Sequence, residues 1–275
     1  MNRSFEPIRY AYGLDDQSAL THINDATRST LYKCPGCGDR LTPVLGEVNA
    51  KHYRHHEVCC SPESYLHKCA KVALFTFFKQ ALEGSASPAI LELERTVYCQ
   101  SPKLESLGDP DFECVYKVPA RYNLASLFDQ VALEKRDAAT GLTPDVMLFR
   151  SNSRRRLYVE VCVTHPCEPE KIQAGIPIIE FKVESEADIA MLTSAPYSVQ
   201  DERIALYNFR VSPGKGHECA EHCPADDVQM SVWSLSENGR LNQRTISLRD
   251  LGLKGSFEQA AWPESLSDAE KTANL

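Results

Sequence analysis

The sequence has no long apolar run. Its longest stretch, Val72 to Phe78, is broken by Thr76 and closed by Lys79. A bilayer-crossing helix needs about 20 apolar residues, so no membrane span is expected. The N-terminus, Met1-Asn2-Arg3-Ser4-Phe5-Glu6-Pro7, has no apolar core of a secretory signal, which points to a cytoplasmic protein. Cationic excess is also missing: 30 Lys and Arg stand against 38 Asp and Glu, a formal charge of -8. That excludes coating nucleic acid through bulk charge, though not meeting it locally. The 11 Cys among 275 residues are too sparse, and odd in number, for a disulfide scaffold. Reduced thiols are expected, some of them on a metal. Internal repeats and low-complexity tracts are absent. What is present is enough apolar material, 43% of residues, for a real core.

The apolar pattern changes period along the chain. Ser61 suits an N-cap, Pro62 the first helical position and Glu63 the positive end of the helix dipole. Leu66, Ala70, Ala73, Leu74, Phe77, Phe78 and Ala81 then form a helical stripe that ends near Gly84. Alternation predicts strands over 90–99, 128–135, 144–149, 157–163, 176–181 and 204–211, with short helices over 168–174 and 186–192 and a hairpin around 237–240. The order implies an α/β or α+β architecture, a mixed sheet flanked by helices. We divide the chain into an N-terminal segment 1–60, a core 61–195 and a β-rich C-terminal extension 196–275.

Cys34-Pro35-Gly36-Cys37-Gly38 is a knuckle in which glycines free the backbone to aim amides at sulfur. His52-Tyr53-Arg54-His55 follows. Cys34, Cys37, His52 and His55 can close a tetrahedral zinc shell, with no open position and hence a structural role. His56, Cys59 and Cys60 lie close enough to compete for the last positions. The segment 41–48 reads as the small hairpin of a zinc ribbon. A second group, His217, Cys219, His222 and Cys223, lacks a complete local ligand set and reads first as a polar loop.

Asp145 opens one apolar strand and Glu160 sits inside the next, at a spacing that lets a hairpin bring them side by side. A carboxylate in a buried strand should be paired or on a metal. Mg²⁺ needs only one or two carboxylates, with water and phosphate oxygens completing its shell. Glu63, His67 and Lys71 line one edge of the helical stripe, and Glu134 is a further strand carboxylate.

In order and spacing, Cys34-x2-Cys37, His52-Tyr53-Arg54-His55, Glu63-Ser64-x2-His67-x3-Lys71, Pro144-Asp145-Val146, Val159-Glu160-Val161 and Val163-Thr164-His165 with Lys171 resemble the competence protein CoiA-like family of the PD-(D/E)xK nuclease superfamily. The resemblance spans about residues 30 to 185. It implies an N-terminal zinc ribbon on a restriction-endonuclease-like core that cuts DNA with Mg²⁺ or Mn²⁺ in uptake, processing or defence. Asp145 and Glu160 would hold the metal, and Glu63 would complete the shell or orient a water. The superfamily's Lys two residues past the Glu is here Cys162. Lys135, Lys171 or Lys182 could replace it, with His165 as a proton donor. Without a replacement the fold would bind nucleic acid or scaffold an assembly, with a partner protein or as a homo-oligomer. Arg154, Arg155 and Arg156, with Lys51, Arg54, His55 and His56, are candidate phosphate contacts.

Overall fold

The computed structural model describes residues 10–46, 50–57, 60–100, 114–216, 229–236 and 239–247. The chain forms two compact units, Met1–Glu94 with Pro119–Val211, and Arg95–Val118 with Ser212–Leu275. The early strands are β1 (Tyr12–Leu14), β2 (Leu20–His22), β3 (Tyr32–Lys33), β4 (Arg40–Val44) and β5 (His52–His55). The long helix α1 (Pro62–Glu83) precedes β6 (Ile90–Cys99), β7 (Val115–Asn123), β8 (Gln130–Leu133), β9 (Val146–Phe149) and β10 (Arg156–Cys162). There follow β11 (Ile178–Lys182), β12 (Tyr197–Ser198), β13 (Ile204–Tyr207), β14 (Gly214–Gly216), β15 (Gln229–Leu235) and β16 (Leu241–Ser247). The fold class is α+β, with several sheets and, among the described residues, a single long helix.

In the first unit, β2-β1-β3-β4-β5 form an antiparallel sheet. Strand alternation sorts its side chains: Tyr32, Leu41, Tyr53 and His55 are buried, while Lys33, Arg40 and Arg54 are exposed. Gly13 is required by close approach, since a Cβ there would lie 3.2 Å from Tyr53 Cζ. Helix α1 starts as its sequence dictates. The Ser61 side chain accepts a hydrogen bond from Ser64 N at 3.1 Å, and Gly84 closes the helix at φ 73°.

The second sheet of this unit runs β13-β11-β10-β9-β8. Only β10 and β11 are parallel; the other pairs are antiparallel. Period-two alternation gives β10 two different faces. Leu157, Val159 and Val161 join the core that also contains Leu66, Ala70, Leu74 and Phe78 of α1. Tyr158 and Glu160 face the other side, where Tyr158 packs with Met147 and Ile178. Residues 196–211, expected to lie in a separate extension, belong to this first unit and supply β12 and β13.

In the second unit, β14 pairs with residues 97–99 of β6, and β15 and β16 form an antiparallel hairpin. The strand β7 was not anticipated by the pattern. It passes from the second unit into the first at Pro119; its Lys117, Pro119 and Arg121 give no apolar period, and its residues alternate only between exposed and half-buried. His217, Cys219, His222 and Cys223 lie outside the described residues. Among the described residues, no helix is long and apolar enough to cross a membrane.

Candidate functional site

Two constellations in the first unit carry chemistry. In the first, the ligand atoms of Cys34, Cys37, His55 and Cys60 all lie within 4.8 Å of one another. Cys34 Sγ is 3.6 Å from Cys60 Sγ, and His55 Nε2 is 3.5 Å from Cys37 Sγ and 3.7 Å from Cys60 Sγ. A tetrahedral shell with Zn–S of about 2.3 Å and Zn–N of about 2.0–2.1 Å has edges of about 3.8 Å between sulfurs and about 3.6 Å between sulfur and nitrogen. The four residues therefore fit a metal such as zinc, in a closed shell suited to a structural role. The backbone amides of Gly36 and Cys37 oppose the rise that burial imposes on the Cys34 thiol. Burial lowers the His55 pKa, which favours the neutral ring that a metal requires.

The ligand set differs from the expected one at a single position. His52 and His55 are three apart on a strand, so they point to opposite faces. His55 turns inward; His52 turns outward, and its Nδ1 lies 2.9 Å from Ala50 O. Cys60 takes the vacant corner, because it immediately precedes the Ser61 cap and α1 holds it against the knuckle. A Cβ on Gly36 would meet Tyr65 Cα at 3.1 Å and Cys60 Sγ at 3.3 Å. Cys59 lies outside the described residues. Tyr10 packs edge-on against His55, ring centroids 4.4 Å apart.

The second constellation is a row of carboxylates across the second sheet. Val159 stands opposite Val146, and one further residue along that register sets Glu160 opposite Asp145. Leu133 opposite Val146 likewise sets Glu134 beside Asp145, and Glu180 pairs with Glu160 on β11. Like charges at directly opposite positions repel, so each must be compensated. Asp145 receives His67 Nε2 at 3.1 Å and the Val161 amide at 2.9 Å on Oδ2, and Lys71 Nζ at 3.2 Å on Oδ1. Lys71 also reaches Glu134 Oε1 at 2.5 Å. Glu180 accepts from Cys167 N and from Tyr207 O–H.

Glu160 is compensated only in part. Lys171, from the short helix Pro169–Gln173, donates to Oε2 at 2.8 Å. Oε1 is buried with no hydrogen-bond partner among the described residues, in a residue only 5% exposed. Burial, and then repulsion by Asp145, raise the Glu160 pKa to about 7 against the opposing pull of Lys171. Asp145 moves the other way: burial is outweighed by His67, Lys71 and the Val161 amide, and its pKa is lowered.

Of the other sequence candidates, Glu63 accepts the Thr164 hydroxyl and forms no three-ligand group with Asp145 and Glu160. Among the described residues, the Cys/His cluster is the one group of three or more His, Cys, Asp or Glu side chains whose ligand atoms converge in this way. Lys135 lies over the Phe149 ring and Lys182 pairs with Glu184, so only Lys171 among the three candidate lysines reaches Glu160. Arg154 and Arg155 are exposed at the β9–β10 tip, while Arg156 donates to Ser153 O and Arg155 O. Arg156 stands opposite Phe149, four residues from Glu160 along β10, or about 13 Å at ~3.3 Å per residue. The arginine triplet therefore lies at the far end of the hairpin from the carboxylates. Comparison with protein-family models, curated proteins and solved structures gives no match.

Proposed function

We propose that the first unit is a divalent-cation-dependent deoxyribonuclease of the PD-(D/E)xK kind, with a zinc-stabilised N-terminal sheet. The observation that carries the proposal is Glu160: a buried strand carboxylate with one unpartnered oxygen, directly opposite Asp145 and touched by one lysine. An arrangement that leaves a buried oxygen bare is costly unless something binds it. Asp145 and Glu160 are the residues that would hold Mg²⁺ or Mn²⁺, whose oxygen preference they match. When bound, such an ion neutralises phosphate charge and makes water a better nucleophile. Glu160 must then be ionised, which its position beside Lys171 assists. The Lys171 ammonium supplies the positive charge that Cys162 cannot. In the overall reaction, water oxygen bonds to phosphorus, the P–O bond to the leaving strand breaks, and a proton passes to the leaving oxygen.

A second reading is favoured by a specific observation. Both oxygens of Asp145 are already engaged by protein donors. A fold whose acids are neutralised by its own lysines would bind nucleic acid or scaffold an assembly without cutting. Binding of Mn²⁺, read by the loss of its free paramagnetic resonance signal, separates the two. The nuclease reading expects binding in the wild type that Glu160→Gln abolishes, while the scaffold reading expects none in either.

A further inference from the structure

The first sheet has a cationic outer face that none of the chemistry above uses. Lys33 on β3 stands directly opposite Arg40 on β4, and Arg54 on β5 stands opposite Thr42. Directly opposite residues share a face, so Lys33, Arg40 and Arg54 lie together on the side away from Tyr32, Leu41 and Tyr53. All three are exposed. None has a side-chain hydrogen bond or ion pair among the described residues. His52 is on the same face, opposite Val44, and His56 reaches it with Nε2 3.1 Å from Thr42 Oγ1. No acid occupies an outward position in the β3–β4–β5 ladders.

Two cations held directly opposite each other repel, and no carboxylate in the β3–β4–β5 ladders relieves them. This occurs in a protein whose formal charge is -8, so the patch is not a by-product of a basic composition. We infer that the outer face of β3–β4–β5, through Lys33, Arg40 and Arg54, docks the phosphate backbone of a nucleic acid. Lys33 and Arg40 stand about 4.8 Å apart on neighbouring strands, and Arg54 lies one strand over from Arg40 and two residues, ~6.7 Å, along. Phosphates along one strand follow one another at an axial rise of about 3.4 Å, so several of them fall within the span of the three cations. The inference rests on the nuclease reading for its choice of polyanion, and of the expected phosphate contacts it keeps Arg54, adds Lys33 and Arg40, and leaves out Arg154–Arg156.

The test is fluorescence anisotropy of labelled single- and double-stranded DNA without added divalent cation, so that cleavage plays no part. The wild type is compared with K33E/R40E/R54E, whose sites are solvent-exposed and leave the metal ligands intact. The expected result is an affinity loss of about tenfold or more, with the slope of log K against log salt reduced by about 2.7 on duplex and about 2.1 on single strands. An unchanged affinity and slope, in a variant with wild-type zinc content and circular dichroism, would overturn the inference. Wild type that does not bind DNA overturns it too, as does a variant that loses only its binding to phosphatidylserine vesicles. Binding that follows this pattern while wild type fails to cut DNA with Mg²⁺ or Mn²⁺ sinks the nuclease reading and leaves the docking surface standing.

Discussion

At the scale of single residues, the metal centre turns on which side of one strand a histidine faces. Cys60→Ser should remove a thiolate from the shell and lower bound zinc well below one per chain. His52→Ala should leave the zinc content unchanged. Metal analysis of the two purified variants decides between the ligand sets. Glu160 provides a second residue-level test, through pH. Its folded pKa of about 7 lies above its ordinary value, so the folded state binds the extra proton. Stability contributed by that proton is present at low pH and is lost as pH rises through about 7, with a slope of up to ~1.4 kcal/mol per unit. Asp145, with its lowered pKa, contributes in the opposite sense, its stabilisation being lost at acid pH. Denaturant titrations from pH 5 to 8 without divalent cation should show stability falling with pH, and Glu160→Gln should flatten that fall. A profile that rises equally in both proteins contradicts the buried, repelled carboxylate. Lys171 offers a third. If it replaces the missing strand lysine, Lys171→Met should reduce cleavage at least tenfold, and C162K added to it should restore part of the rate, because Cys162 and Glu160 share a face of β10.

At the scale of elements, α1 joins the two constellations. Its first turns carry Tyr65, against the knuckle, and His67 and Lys71, on Asp145. Gly36→Val would force a side chain into the Tyr65 backbone, and overpacking of this kind costs about 1–3 kcal/mol. Ser61→Ala should cost about 1 kcal/mol by removing the N-cap. Chemical denaturation measures both. This helix was readable from the sequence almost to the residue, because its cap, its N1 proline, its stripe and its terminal glycine all agree. The strands β9 and β10 were readable for the same reason, and with them the meeting of Asp145 and Glu160. What escaped depended on partners distant in sequence. Lys71 and His67 had the right helical spacing, but only the tertiary fold brings them to Asp145. Tyr10 carries no local signal and matters through its packing against His55. The choice of His52 over Cys60 followed motif spacing where strand parity, also present in the sequence, points the other way.

At the scale of the whole molecule, the charge of -8 is an average over regions of opposite character. One sheet presents cations unpaired among the described residues, and the other gathers Glu134, Asp145, Glu160 and Glu180 into one row. A row of this kind repels phosphate unless a cation intervenes, which is the electrostatic core of the proposed activity. The most direct measurement is cleavage of single-stranded, double-stranded and branched DNA by the full chain with Mg²⁺ or Mn²⁺, beside Asp145→Ala of equal zinc content. The account predicts cutting by the wild type and a rate reduced by about 10²–10³-fold in the variant, the loss of several kcal/mol of charge stabilisation. Wild type inert on every substrate with either metal, or cutting that Asp145→Ala leaves unchanged, would contradict it.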